Sequence, residues 1–163
     1  MSGRPSRRRL KFMKKIIIEL LIVAGLIVVL ASAIIFAVDP AKRFIEARNA
    51  ERWSAANSIL NGYLNYTFNH QGTEPAALVP GAYYLIGTGA DAAGCAAQET
   101  SLTVNLAPAL VGAYLSSMPV DPSAGSELKT YYYLTKTDNG RIAVGACLAE
   151  PVGSKTPEIK VGR

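Results

Sequence analysis

One histidine, two cysteines and a scatter of carboxylates are all that this 163-residue chain offers for chemistry. His70 has no Ser, Cys or carboxylate partner at a spacing that would make it a general base, so it reads as a surface or capping residue. Asp121 and Asp138 are conceivable calcium ligands, but no DxDxDG-type loop surrounds them and turns favour aspartate for ordinary backbone reasons. No metal site, no cofactor and no enzymatic activity are expected. Cys95 and Cys147 match no CxxC, zinc or haem pattern. In an oxidising compartment an even pair reads as one disulfide closing a loop of about 50 residues; two unpaired thiols are the alternative. Asn65-Tyr66-Thr67 matches the glycosylation sequon, but it falls inside a helical pattern.

The one carboxylate in an unusual place is Glu19. It is the only charge in the 23-residue apolar run from Ile16 to Val38. A helix needs about 20 apolar residues to cross the hydrocarbon core, and this run extends roughly 34 Å. An isolated carboxylate in lipid costs about 3 kcal/mol or more. Glu19 either reaches headgroup water or Lys14 and Lys15, or awaits a countercharge from a protein partner such as the free amine of another subunit.

Seven basic residues (Arg4, Arg7, Arg8, Arg9, Lys11, Lys14, Lys15) precede the run with no acid among them. The positive-inside rule keeps that flank cytoplasmic and sends everything after Val38 across the membrane. It also accounts for the formal charge of +5: the flank holds seven of seventeen basic residues, leaving ten against all twelve acids, or −2. Nucleic-acid binding is therefore not indicated. The apolar run is longer than an ordinary signal-peptide core, although Ala31-Ser32-Ala33 would offer a cleavage site.

The segment after the run argues for an anchor. Asp39-Pro40 marks a kink, yet residues 41–68 carry a strong helical pattern. Trp53, Ala56, Leu60, Tyr63 and Leu64 recur at three- and four-residue steps, alongside Phe44, Ala47 and Ala55. Trp53, Ile59, Leu60 and Tyr63 are expected to wall the core, with Lys42, Arg43, Glu46, Arg48, Glu51 and Arg52 on the other face. Lys42 and Glu46 can attract, and Arg48 and Arg52 repel. Unbroken, residues 16–68 would extend about 80 Å.

After Asn69-His70-Gln71-Gly72 the pattern changes. Residues 73–99 read as a Gly/Ala/Pro-rich surface loop with a strand candidate at Tyr83–Ile86. Residues 102–115 suggest a short helix begun after Pro108, and 116–126 a turn-rich connector. Strands are expected at 130–135 and 141–148, joined through Asp138-Asn139-Gly140, a hairpin signal because Asn-Gly tolerates positive φ. The tail from Pro151 is an edge segment or loosely ordered. The fold class is α+β: a long N-terminal helix, membrane-spanning and then amphipathic, packed on a small antiparallel sheet.

The stretch KKIIIELLIVAGLIVVLASAIIFAVDPAKRFIEARNAERWSAANSILNGYLNY resembles the N-terminal region of type IV pilins and type II secretion pseudopilins. A basic leader, Glu19-Leu20-Leu21, a long apolar run, a proline and an amphipathic helix occur in that order. SSMPVDP before a tyrosine-rich strand is similar to the late region of many such proteins. The resemblance implies a pilin-like division: 1–14 leader, 15–38 transmembrane and assembly helix, 39–69 amphipathic helix, 70–163 head.

It also implies a structural subunit of a pilus or pseudopilus, held in a bacterial inner membrane before assembly and then part of an extracellular or periplasmic filament. Partners would be other copies or related subunits, a prepilin peptidase that cleaves and methylates, the inner-membrane assembly machinery and membrane lipid. Glu19 would take the family's assembly glutamate role. One departure stands out: the family usually has Gly before the cut and Phe or Met after it, whereas alignment on Glu19 places Lys14 and Lys15 there. With such a site the leader is cut inefficiently, cut elsewhere (after Met13, for example) or retained, and a retained leader would leave a non-polymerising, single-pass anchor displaying a disulfide-clipped binding module.

Overall fold

The computed structural model describes residues 7–163, with the side chains of residues 11–32 and 39–163. Arg4 of the basic flank lies outside the described residues. The chain divides into two compact units, Met1–Ala41 and Lys42–Arg163.

Two long helices come first, α1 (Arg7–Val38) and α2 (Pro40–Asn69). The break is at Asp39, whose φ of 39° lies in the left-handed region. Proline disfavours the α conformation in the residue before it, and opens the next helix readily because its missing N–H would have no intrahelical partner. The expected kink at Pro40 is thus a one-residue interruption. Among the described residues one helical stretch, Lys11–Ser32, is long and apolar enough to cross a membrane, and it is exposed throughout. At the far end, Gln71 and Gly72 take positive φ and the Gly72 N–H donates to the Thr67 carbonyl, a left-handed cap that stops α2.

The second unit is α+β. Its sheet holds β1 (Tyr83–Ile86), β2 (Leu102–Val104), β3 (Tyr132–Lys136), β4 (Ile142–Ala146) and β5 (Lys160–Gly162), with a single-turn helix α3 (Ala107–Leu110) after β2. The spatial order is β2-β1-β3-β4-β5. The sheet is mixed, correcting the antiparallel expectation: β1 and β2 run parallel, pairing Tyr84 with Leu102 and Ile86 with Val104. The residues read as one helix over 102–115 are a strand followed by a short turn of helix. Parallel neighbours need a long crossover, here residues 87–101.

The hairpin forms with shorter strands than expected. Tyr131, at φ 59°, lies outside β3, and Gly140 supplies the positive φ in the turn while Asn139 does not. The tail contributes β5 as an edge strand on β4.

Alternation along the strands separates two apolar clusters. Tyr84, Ile86, Tyr132, Leu134, Ile142 and Val144 pack against Ala56, Ile59, Leu60 and Tyr63 of α2. Leu85, Tyr133 and Cys147 form a smaller cluster with Tyr83, Cys95, Tyr131 and Leu148. The expected wall of α2 holds for Ile59, Leu60 and Tyr63 but not for Trp53, which is 39% exposed. Phe44 is exposed too.

Candidate functional site

Glu19 lies in the middle of an apolar, exposed helical surface. Lys11, Lys15, Ile18 and Ile22 share its face, at helical spacings of three and four. Lys15 stands one turn before it, yet among the described residues no ion pair or hydrogen bond reaches the Glu19 carboxylate. Of the countercharges expected from sequence, those on its own helix are not engaged. Lys14 and Lys15 are exposed, and the peptide bond between them lies inside α1.

The second unit carries a polar cluster that sequence reasoning missed. Arg52, expected on the charged face of α2, is fully buried. The helical period explains why: Arg52 aligns with Ala56, Ile59 and Tyr63 at steps of four, seven and eleven, the centre of the buried stripe. Asn49, three residues earlier, is buried as well. Those spacings were the available signal, outweighed by the residue types.

Arg52 Nε donates to Asp121 Oδ2 at 2.7 Å and Nη2 to Oδ1 at 3.1 Å, with both side chains fully buried. Nη2 also reaches Ser123 Oγ at 3.1 Å, and Nη1 donates to Asn49 Oδ1 at 3.0 Å. Asn49 is clamped to the backbone of Glu150, its Nδ2 donating to the carbonyl at 2.8 Å and its Oδ1 accepting the N–H at 3.0 Å. Glu150 Oε2 lies 2.7 Å from Arg48 Nε and 3.3 Å from Arg52 Nη1. The Arg48–Arg52 repulsion is therefore offset by a carboxylate set between them.

Burial by itself would raise the Asp121 carboxyl, but hydrogen bonds from Arg52 and Ser123 hold it below the ordinary aspartate range. Burial likewise opposes the charge on Arg52, and its bonds to Asp121 and Glu150 outweigh that, raising it. Burial and the Asp121 charge push the hydroxyl of the fully buried Tyr132 upward. Every charge in the cluster is engaged by another member, leaving no free base or nucleophile. What the cluster can do is position: it ties α2 to the 121–123 turn and to the segment after β4. Asp121, a conceivable calcium ligand by sequence, is instead the partner of a guanidinium.

Cys95 and Cys147 form a disulfide. His70 is exposed, stacked on Tyr66 at a centroid distance of 3.9 Å, and its Nδ1 donates to the Tyr66 carbonyl at 2.9 Å. Asp138 is exposed in the hairpin turn. Thr67 of the sequon donates back to the Tyr63 carbonyl within α2. Among the described residues no group of three or more His, Cys, Asp or Glu side chains could hold a metal ion. A largely apolar cleft of about 410 Å³, bordered by Ile86, Leu106, Pro108, Val111 and Met118, has Glu127 as its ionisable residue.

No protein-family model, curated protein or solved structure matches this chain.

Proposed function

We propose that this chain is a structural subunit of a type IV pilus or pseudopilus filament, anchored by α1 in a bacterial inner membrane before assembly. The observation that carries the reading is Glu19: a carboxylate on an exposed, span-length apolar helix, with no countercharge engaged among the described residues of its own chain. Such a group is tolerable in an apolar bundle when another chain supplies the positive partner. The amine of an adjacent copy is a partner of that chemistry. Further support comes from the order of elements, apolar helix, proline break and a second helix that walls a small α+β head. The reading assigns no reaction to the head. Its partners are other copies or related subunits, a prepilin peptidase, membrane lipid and the assembly machinery.

The test is Glu19→Ala in cells that express the chain. Loss of the protein from sheared extracellular or periplasmic filaments, with membrane insertion intact, is the expected result. Unchanged filament recovery would overturn the proposal.

One observation favours a second reading. Lys14 and Lys15 replace the family's usual residues at the cut, and the bond between them sits within continuous helix. An uncut chain would be a single-pass anchor for a binding module that does not polymerise. Mass spectrometry of the mature amino terminus separates the two: a new, methylated terminus at Lys15 belongs to the filament reading, and intact residues 1–14 to the anchor.

A further inference from the structure

The crossover between β1 and β2 is held to the head by very little besides one covalent bond. Residues 87–101 contain no apolar side chain larger than alanine or cysteine, and none of residues 90–101 is buried. The first residues are hydrogen-bonded in place, Gly87 to Val104, Thr88 to Glu127 and Gly89 to Leu128. Beyond Gly89 the segment is tied to the rest of the head at two places. Cys95 is bonded to Cys147, beside which the Ala97 N–H donates to the Cys147 carbonyl at 3.2 Å, and Lys129 Nζ meets Asp91 Oδ2 at 2.6 Å and the Ala93 carbonyl at 2.8 Å. The Lys129 contact is on the surface, where Asp91 is 69% exposed, so solvent competes with it.

Cys95, with Tyr83, Tyr131 and Leu148, packs against the buried cluster of Leu85, Tyr133 and Cys147, on the sheet face opposite α2. Leu85 and Tyr133 are nonetheless almost fully buried, and Tyr133 lies across its cross-strand partner Gly145. The main core, backed by α2, contains neither cysteine. Elements with few apolar contacts and exposed backbone open locally at far lower free energy than the core around them.

We propose that residues 90–101 are a redox-released cover, fastened by Cys95–Cys147 over the Leu85–Tyr133 face, and that reduction lifts it while the helix-backed core stays folded. Cys95 is only partly buried whereas Cys147 is fully so, and the thiolate is therefore taken to enter on the Cys95 side. A dithiol attacks Cys95 Sγ, the S–S bond breaks and Cys147 leaves as a thiolate. The reductant's second thiol then displaces Cys95. The dithiol ends as its own disulfide and the two protein sulfurs take up its two protons. The released segment uncovers a tyrosine-lined sheet face.

The experiment uses the full chain in detergent micelles, oxidised or reduced with dithiothreitol and alkylated with iodoacetamide. Two readouts are taken: cleavage after Glu99 by a glutamate-specific protease, and hydrogen exchange of the β3 and β4 amides. Reduction is expected to speed cleavage at Glu99 tenfold or more while the β3 and β4 amides stay protected. Unchanged cleavage would show that the cover stays down, and collapse of β3 and β4 protection would show that it is integral to the fold. Either result overturns the proposal. Lys129→Ala, oxidised, provides a second check: with one of the remaining ties gone, thiol release by dithiothreitol should quicken severalfold, and an unchanged rate counts against a cover so lightly held.

Discussion

Arg52 and Asp121, separated by 69 residues in sequence, meet as a two-point ion pair sealed from solvent between α2 and the turn before β3. Two opposite charges removed from water stabilise a fold only weakly relative to apolar replacements, but either one left alone is costly. Satisfying Arg52 requires Asp121, Asn49, Ser123 and Glu150 together, and so fixes how the helix seats on the head.

Removing one partner should be worse than removing both. Asp121→Leu or Arg52→Met is expected to cost about 3–5 kcal/mol of head stability, and the double change Arg52→Met/Asp121→Leu markedly less than the sum. Denaturant unfolding of the four proteins, followed by circular dichroism, measures the coupling.

Acid should weaken the head through the same carboxylate. The Asp121 carboxyl is held below its unfolded value, so its contribution is complete above the ordinary aspartate range and fades as pH falls through the folded value. Glu150, lowered by its bonds to Arg48 and Arg52, adds to that trend in the same direction. Thermal melts between neutral pH and pH ~3 should show stability falling only on the acid side, with Asp121→Asn flattening the slope.

Trp53 is the only tryptophan and lies at the rim of the buried stripe of α2. Its emission should be red-shifted and readily quenched by acrylamide in the native protein. Trp53→Phe should change stability by less than about 1 kcal/mol, far below the cost of truncating a core aromatic. A blue-shifted, unquenchable signal would restore the tryptophan to the core.

Gly125 closes the turn that presents Asp121. A Cβ there would collide with the Asp121 backbone nitrogen and crowd its carbonyl oxygen, which accepts the Gly125 N–H at 2.9 Å. Gly125→Ala should destabilise by about 1–3 kcal/mol through displacement of that turn. It should also reduce the Arg52–Asp121 coupling measured by the double-mutant cycle, whereas Gly140→Asn, at an exposed positive-φ position with nothing near its Cβ, should be mild.

Features that depend on residues near one another in the chain were legible. The apolar span, the break at Asp39-Pro40, the end of α2 near Gly72, the strand at Tyr83–Ile86 and the 137–141 hairpin all appear where local pattern placed them. Trp53 misleads because its aromatic character outweighs its angular position on the helix, and Arg52 because its charge does.

Periodicity and composition act within one segment, and so they were enough for a span-length apolar helix with one carboxylate in it, an amphipathic helix after it and a single disulfide from the two cysteines. The parallel pairing of β2 with β1, the sheet face on which the Cys95–Cys147 bond lies and the inward turn of Arg52 emerge only once the segments pack. A buried guanidinium is tolerated only where Asp121 and Glu150 arrive to meet it, and no local pattern in either segment announces the other.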